Sequence, residues 1–322
     1  MATFIQRSHE DLSAIRDELI VGLLSPQAFT SPKYLYDALG SKLFEAICEV
    51  PEYYPTRTEA AIFATHAQQI AASVGQGHMM IDLGAGNCAK AARLFSVLKP
   101  THYVPVDISV EFLREAVGQL QQRFAAMEIT ALGLDFSAEF VLPEEINAVV
   151  APRLFFYPGS SIGNFTPSEA TAFLARIAQA CGTQGDLLIS VDMVKAAHLL
   201  DAAYDDALGV TAAFNLNVLH HLNHLLEADF QIRQWRHVGF FNQQASRIEM
   251  HLEAREALSV TWRGGQRDFA AGERIHTENS YKYTRQSFVA VLEAAGFAAR
   301  TIWTDPQGWF MVCHAEKGHR QR

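Results

Sequence analysis

Cysteine is scarce in this chain and follows no pattern. Cys48, Cys88, Cys181 and Cys313 are the only four among 322 residues. They form no CxxC pair and no metal-ligand spacing, so neither a disulfide framework nor a cysteine metal site organises the fold. They read as the reduced thiols of a cytoplasmic protein. Long apolar runs are absent too. No window reaches the ~18 uninterrupted apolar residues of a membrane span. The opening MATFIQRSHEDLSAI lacks the basic-then-apolar order of a secretory signal. Basic charge is in deficit, with 26 Lys and Arg against 35 Asp and Glu and a formal net charge of −9. Such a surface repels phosphates and argues against a nucleic-acid partner. There is no low-complexity tract and no internal repeat. What is present is a 49% hydrophobic chain, enough for a sizeable core, expected to stay off membranes and to be a monomer.

Apolar periodicity gives the layout. Leu12, Ile15, Leu19 and Leu23 recur at helical spacing. Thr56 and Glu59 stand as a Thr-x-x-Glu capping box, which predicts a helix from there to about Val74. Strands are then expected at Met79–Leu83, His102–Val106, Ile129–Leu132, Arg153–Tyr157 and Asp186–Asp192, with helices at Ala89–Leu98, Val110–Met127 and Ala170–Gln179. Strands spaced by such helices imply right-handed βαβ units and a parallel sheet. After about Lys195 the pattern becomes α+β. A helical stretch precedes strand-like runs at Arg236–Phe241, Arg247–Glu253 and Ala257–Arg263. A helix at Arg285–Ala295 and a hairpin of Ala299–Trp303 with Phe310–Ala315 close the chain, and KGHRQR reads as a frayed tail. The expected architecture is an α/β doubly wound sheet over 1–195 and 284–322, carrying an N-terminal helical segment. An α+β substrate domain, 196–283, is inserted into it.

Three acidic residues follow successive strands. IDLGAGNCA, at Ile81–Ala89, brings a strand into a Gly-rich turn, where Gly84 and Gly86 let a ligand approach the backbone. The same turn fits a dinucleotide, or a mere strand-to-helix connection. Asp107 ends the next strand, where a carboxylate can accept from both hydroxyls of a ribose. Asp135 and Phe136 follow the third, where they can meet an adenine amino group and ring. The ordered set Asp82, Asp107, Asp135, with no second Gly-rich nucleotide half, favours S-adenosylmethionine (SAM) over NAD. A closing antiparallel hairpin suits a Rossmann-like class I SAM methyltransferase sheet.

The acceptor is read from the loop GSSIGNFTP, at Gly159–Pro167. It lacks the Pro-Pro-aromatic motif of enzymes that methylate nucleobase amines. Asn164 can orient a neutral amine by accepting from it, or it can simply cap the next helix. At this point several blocks together resemble a known family: YDALGSKLFEAI, PEYYPTRTEA, DLGAGNCAK, GSSIGNFTP, AYDDALGVTAAFN, RIEMHLEA and TENSYKY. The chain is similar, over nearly its whole length, to the histidine Nα-methyltransferases of ergothioneine biosynthesis. The resemblance implies trimethylation of the α-amine of L-histidine to hercynine, with no metal. An N-methyltransferase for tryptophan or another free amino acid is the alternative.

By that resemblance Gly84, Gly86, Lys90, Asp107, Asp135 and Phe136 bind SAM. Tyr53, Asn164, Tyr204, Met250, Glu278 and Ser280 bind histidine, with Tyr36, Tyr53 and Asn164 the catalytic candidates at the reacting amine. Glu278 and Ser280 are two apart in a strand-like stretch, so both project to one face and can meet both imidazole nitrogens. Tyr204 is expected to donate to the substrate carboxylate, and the amine's proton to pass to water or a tyrosinate. Tyr36, Phe44 and Tyr53 can face a quaternary ammonium product. His220 and His224 share i,i+4 spacing but lack the acidic partner of a metal motif, and are set aside.

Overall fold

The computed structural model describes residues 2–6, 12–136, 140–182 and 185–318. The last four tail residues therefore lie outside it, while Lys317 ends a strand. In chain order the strands are β1 (Thr3–Gln6), β2 (Met79–Leu83), β3 (His102–Asp107), β4 (Glu128–Gly133), β5 (Arg153–Tyr157) and β6 (Gly185–Asp192). Then follow β7 (Trp235–Asn242), β8 (Arg247–Ala254), β9 (Leu258–Trp262), β10 (Gly265–Phe269), β11 (Arg274–Tyr281), β12 (Phe297–Thr304) and β13 (Phe310–Lys317).

Eight of them form one sheet, in the order β1-β4-β3-β2-β5-β6-β13-β12. Every pairing from β1 to β6 is parallel, and β13 is antiparallel to both β6 and β12. The chain builds outward from β2 through β3 to β4, then returns to β5 on the other side of β2. That reversal opens a crevice outside the carboxyl ends of β2 and β5, where doubly wound folds take their ligands. This is the expected Rossmann-like sheet with its antiparallel closing hairpin. Its strands are legible because both faces are covered: β2 is buried at all five positions. Ile62, Phe63 and Ile70 pack from the helix Tyr54–Val74, and Leu113, Val117 and Leu120 from the helix Val110–Arg123.

Several local expectations are corrected. Thr56 and Glu59 do not open the helix, which already begins at Tyr54. Glu59 is instead buried, with its carboxylate used at long range. The helix after the Gly-rich turn is two short ones, Ala89–Ala92 and Phe95–Leu98. β1 and β10 had no counterpart in the sequence pattern.

The chain divides into two compact units. The first comprises Met1–Ser8, Pro55–Val194 and Lys282–Arg322, and the second His9–Tyr54 and Lys195–Tyr281. The N-terminal helical segment thus belongs to the second unit, not to the sheet domain as expected. Within the first unit, Asp192 and Lys282 stand where the chain leaves and returns. They form a fully buried ion pair of 2.8 Å.

The second unit holds the three-stranded antiparallel sheet β11-β8-β7 and the hairpin β9-β10. Its helices include Leu12–Leu24, Ala38–Glu49, Ala197–Tyr204 and Val210–Leu226. Asp37 caps the second of these through the Gly40 N–H, at 2.7 Å, and accepts from Asn217 on the fourth, at 2.8 Å. Asp206 accepts from the first N–H groups of that fourth helix, at Val210 and Thr211. Among the described residues no helix is long and apolar enough to cross a membrane.

Candidate active site

The first unit gathers one set of candidates at the carboxyl ends of β2, β3, β4 and β5. Gly84 and Gly86 both adopt left-handed backbone, at φ +70° and +52°, which only glycine takes without strain. The Gly84 N–H donates to Val106 O at 2.9 Å, holding the turn against β3. Asp107, the last residue of β3, accepts the Gly86 N–H at one carboxylate oxygen and the Ser109 N–H at the other, both at 2.9 Å. Its remaining lone pairs are of the kind that accept ribose hydroxyls. The Leu134 N–H donates to Asp107 O at 3.1 Å and draws the exit of β4 alongside. Asp135 and Phe136 follow, both half-buried. The Phe136 ring packs on Tyr157 and Phe173, and a Cβ on Gly84 would lie 3.7 Å from it.

Asp82 differs from the expectation of an acid at a strand tip. It lies inside β2 and is 1% exposed. Tyr103 donates to one carboxylate oxygen at 2.6 Å, and the other has no partner among the described residues. Burial pushes its pKa up to about 7, against the pull of the Tyr103 hydroxyl and Lys90. The Lys90 ammonium is paired with Glu59 at 2.8 Å.

Asn164 ends the turn Ser161–Asn164 beyond β5. It is no helix cap. Thr166 caps the helix Pro167–Ala180, in a reciprocal capping box with Glu169. The half-buried Asn164 carboxamide makes no hydrogen bond among the described residues.

The second unit gathers the other set on one face of its sheet. Cross-strand partners project to the same side. Gly239, Met250 and Glu278 form one row, and Phe241, Ile248 and Ser280 the next. Glu278 and Ser280 reach this face because β11 is irregular. His276 pairs with His251 and Glu278 with Met250, so Thr277 is an extra residue between them. The Thr277 hydroxyl donates into its surroundings at Asn215 Oδ1, 2.7 Å away. Tyr204, at the end of its helix, donates its phenol proton to Ser280 Oγ at 2.9 Å. Gly239 makes that approach possible, since a Cβ there would stand 2.7 Å from Tyr204 O.

Tyr53 lies against Tyr204, with ring centroids 6.1 Å apart, and against Phe44 at 6.2 Å. Tyr36, Phe44 and Phe214 complete an aromatic cluster at 5.4 to 6.0 Å. Burial, then the electrostatics of Tyr204, Cys48, Tyr36 and Glu278, hold the Tyr53 phenol well above the ordinary tyrosine pKa. Its neighbour Tyr54 is engaged elsewhere, with Lys195 Nζ donating to its hydroxyl at 2.6 Å. Phe214 and Gly239 carry no mark in the sequence reading. A lone glycine inside the strand-like RHVGFF is the one signal that was available, because such a glycine often marks a close backbone approach.

Each unit therefore holds one share of the candidate residues. A Gly-rich turn with a ribose-ready carboxylate is the furniture of a SAM fold. A carboxylate and a hydroxyl on one buried face suit a polar side chain. Comparison with known proteins identifies the family that combines them. A family described as histidine-specific methyltransferases, SAM-dependent, matches residues 15–317. The chain belongs to that family. It is 38% identical over 305 residues to the histidine N-alpha-methyltransferase of Mycolicibacterium smegmatis, covering 92% of this chain and 93% of that one. It is 37% identical over 311 residues to the histidine N-alpha-methyltransferase of Mycobacterium tuberculosis, covering 94% and 95%. Ergothioneine biosynthesis protein 1 of Neurospora crassa matches at 30% identity over 280 residues, 84% of this chain but 31% of that longer protein. The chain is a SAM-dependent histidine methyltransferase.

Proposed function

We propose that the chain transfers three methyl groups from SAM to the α-amine of L-histidine, giving hercynine. The observation that carries this reading is the polar pair on the second unit's sheet. Tyr204 donates its phenol proton to Ser280, which holds that hydroxyl on the face it shares with Glu278, and a serine hydroxyl that accepts is also able to donate. Glu278, on the same face, is an acceptor. A donor and an acceptor two residues apart match a neutral imidazole, which has one bare nitrogen and one N–H. In this arrangement Tyr204 acts on the side chain through Ser280, rather than on the substrate carboxylate.

SAM supplies an electrophilic methyl on a sulfonium, and the residues of the first unit fit it. Gly84 and Gly86 leave backbone room, Asp107 takes the ribose, and Asp135 with Phe136 takes the adenine. The amine must be neutral, its lone pair in line with the S–CH₃ bond, so the protein's work is positioning and exclusion of water. Asn164 accepts from the amine without fixing a charge on it. Burial favours the protonated form of Tyr53, which supports water over a tyrosinate as the acceptor of the amine's proton. The faces of Tyr36, Phe44, Tyr53 and Phe214 stabilise the quaternary ammonium, which has no proton to donate.

The test is mass and NMR analysis of purified protein incubated with SAM and each amino acid. Histidine should gain three methyl groups, all on the α-nitrogen. Methyl groups on the imidazole, or tryptophan as the preferred acceptor, would overturn the reading.

A further inference from the structure

We propose that Glu59 is a positioning residue which, through a single carboxylate, sets both the lysine beside the Gly-rich turn and the loop that carries Asn164. The proposal deepens the reading above and rests on it for the roles of Lys90 and Asn164.

Glu59 lies in the second turn of the helix Tyr54–Val74 and is 1% exposed. A carboxylate so buried is strongly unfavourable unless each oxygen is paired. Both oxygens are. Oε2 lies 2.8 Å from Lys90 Nζ, and Oε1 accepts the Gly159 N–H at 2.6 Å. The two partners belong to different functional segments. Lys90 is four residues beyond Gly86, and Gly159 opens the loop that ends at Asn164.

Gly159 supplies a second constraint. Its φ is +81°, and a Cβ there would stand 3.1 Å from Lys90 Nζ. The ammonium is thus seated against the bare backbone of the loop as well as on Glu59. Lys90 keeps about a third of its side-chain surface exposed. An ammonium has three protons, so one held by Glu59 leaves others for an anionic ligand. SAM has one carboxylate, at its amino-acid end. Glu59 aims Lys90 at that group and, by the same carboxylate, fixes the loop from which Asn164 meets the acceptor amine. A group serving only the stability of the helix would leave both binding and turnover intact when replaced by an isostere.

Three variants test this. Glu59→Gln keeps shape and an acceptor for the Gly159 N–H but removes the charge under Lys90. Its affinity for S-adenosylhomocysteine, read by calorimetry, should fall about tenfold, the scale of one charge-assisted bond. Lys90→Met should give a similar loss, and the double variant little more, because the two residues act as one unit. Glu59→Ala removes the Gly159 bond as well, so its kcat for histidine should fall further than that of Glu59→Gln. Unchanged affinity in folded Glu59→Gln overturns the proposal, and so does an additive double variant. If Glu59→Ala does not fold, the binding cycle of the other variants still decides. Failure of the wild-type protein to methylate histidine would instead count against the catalytic reading, which the binding cycle does not use.

Discussion

Replacing Glu278 by alanine separates substrate recognition from catalysis. The carboxylate is 7% exposed and lies on the row formed with Met250 and Gly239. On the proposed reading, alanine removes the acceptor for the imidazole N–H, while the Tyr204–Ser280 bond of 2.9 Å preserves the donor, so that one of two recognition bonds is lost. A bond to a charged group contributes about 1.5–3 kcal/mol, so kcat/KM for histidine should fall roughly 10- to 150-fold. Glu278→Gln keeps a neutral acceptor and should fall less. Tryptophan starts from a poor position, because an indole offers Ser280 no ring acceptor and is bulkier. It should lose less from the substitution, or gain from the freed volume beside Met250. The histidine-to-tryptophan ratio should therefore narrow. The assay is a competition reaction with both amino acids, with product masses read for wild type and for a variant shown to be folded. A ratio that stays the same means Glu278 does not face the side chain, and the recognition argument fails.

Asp107→Ala should weaken S-adenosylhomocysteine binding about tenfold by calorimetry; because Asp107 also accepts from Gly86 and Ser109, unchanged affinity would defeat its assignment. Asn164→Ala should lower kcat about tenfold or more with the melting temperature held, since Thr166 caps the following helix; near-normal turnover with a lower melting temperature would contradict this. Asp82→Asn should flatten the pH dependence of stability. Burial raises the Asp82 carboxyl to about 7, against ~3.9 unfolded, so between these values the folded state binds more protons. Wild-type stability then falls as pH rises through that window, by up to about 4 kcal/mol. Asparagine removes the titration and still accepts from Tyr103. Equal slopes from denaturant melts between about pH 5 and 8 would refute the argument.

The parallel strands β2 to β6 were legible because they are short apolar runs buried on both faces. β1 was not. It has four residues of mixed exposure, and its one pairing, to β4, is to a strand more than a hundred residues away. Thr56 and Glu59 show why a motif can mislead. A spacing of three fits a helix terminus and a helix interior alike, and Gly159, a hundred residues distant, decides what Glu59 does. Glu278 and Ser280 share a face, as their spacing implies. The bulge at Thr277, which puts Glu278 opposite Met250, left no trace in composition. Phe214 looked like one more apolar position on a helix. Only the fold brings it to Tyr36 and Phe44.

The same bulge bears on how this strand can change length without changing what it presents. Thr277 is the extra residue, so deleting its codon would leave His276 opposite His251 and Glu278 opposite Met250, with Asn279, Ser280 and Tyr281 keeping their partners as well. The acid and the hydroxyl would stay on their face, and what would go is the Thr277 hydroxyl with its bond to Asn215. The bulge is thus a slack position in the strand, where a residue can be gained or lost while the register on either side is held.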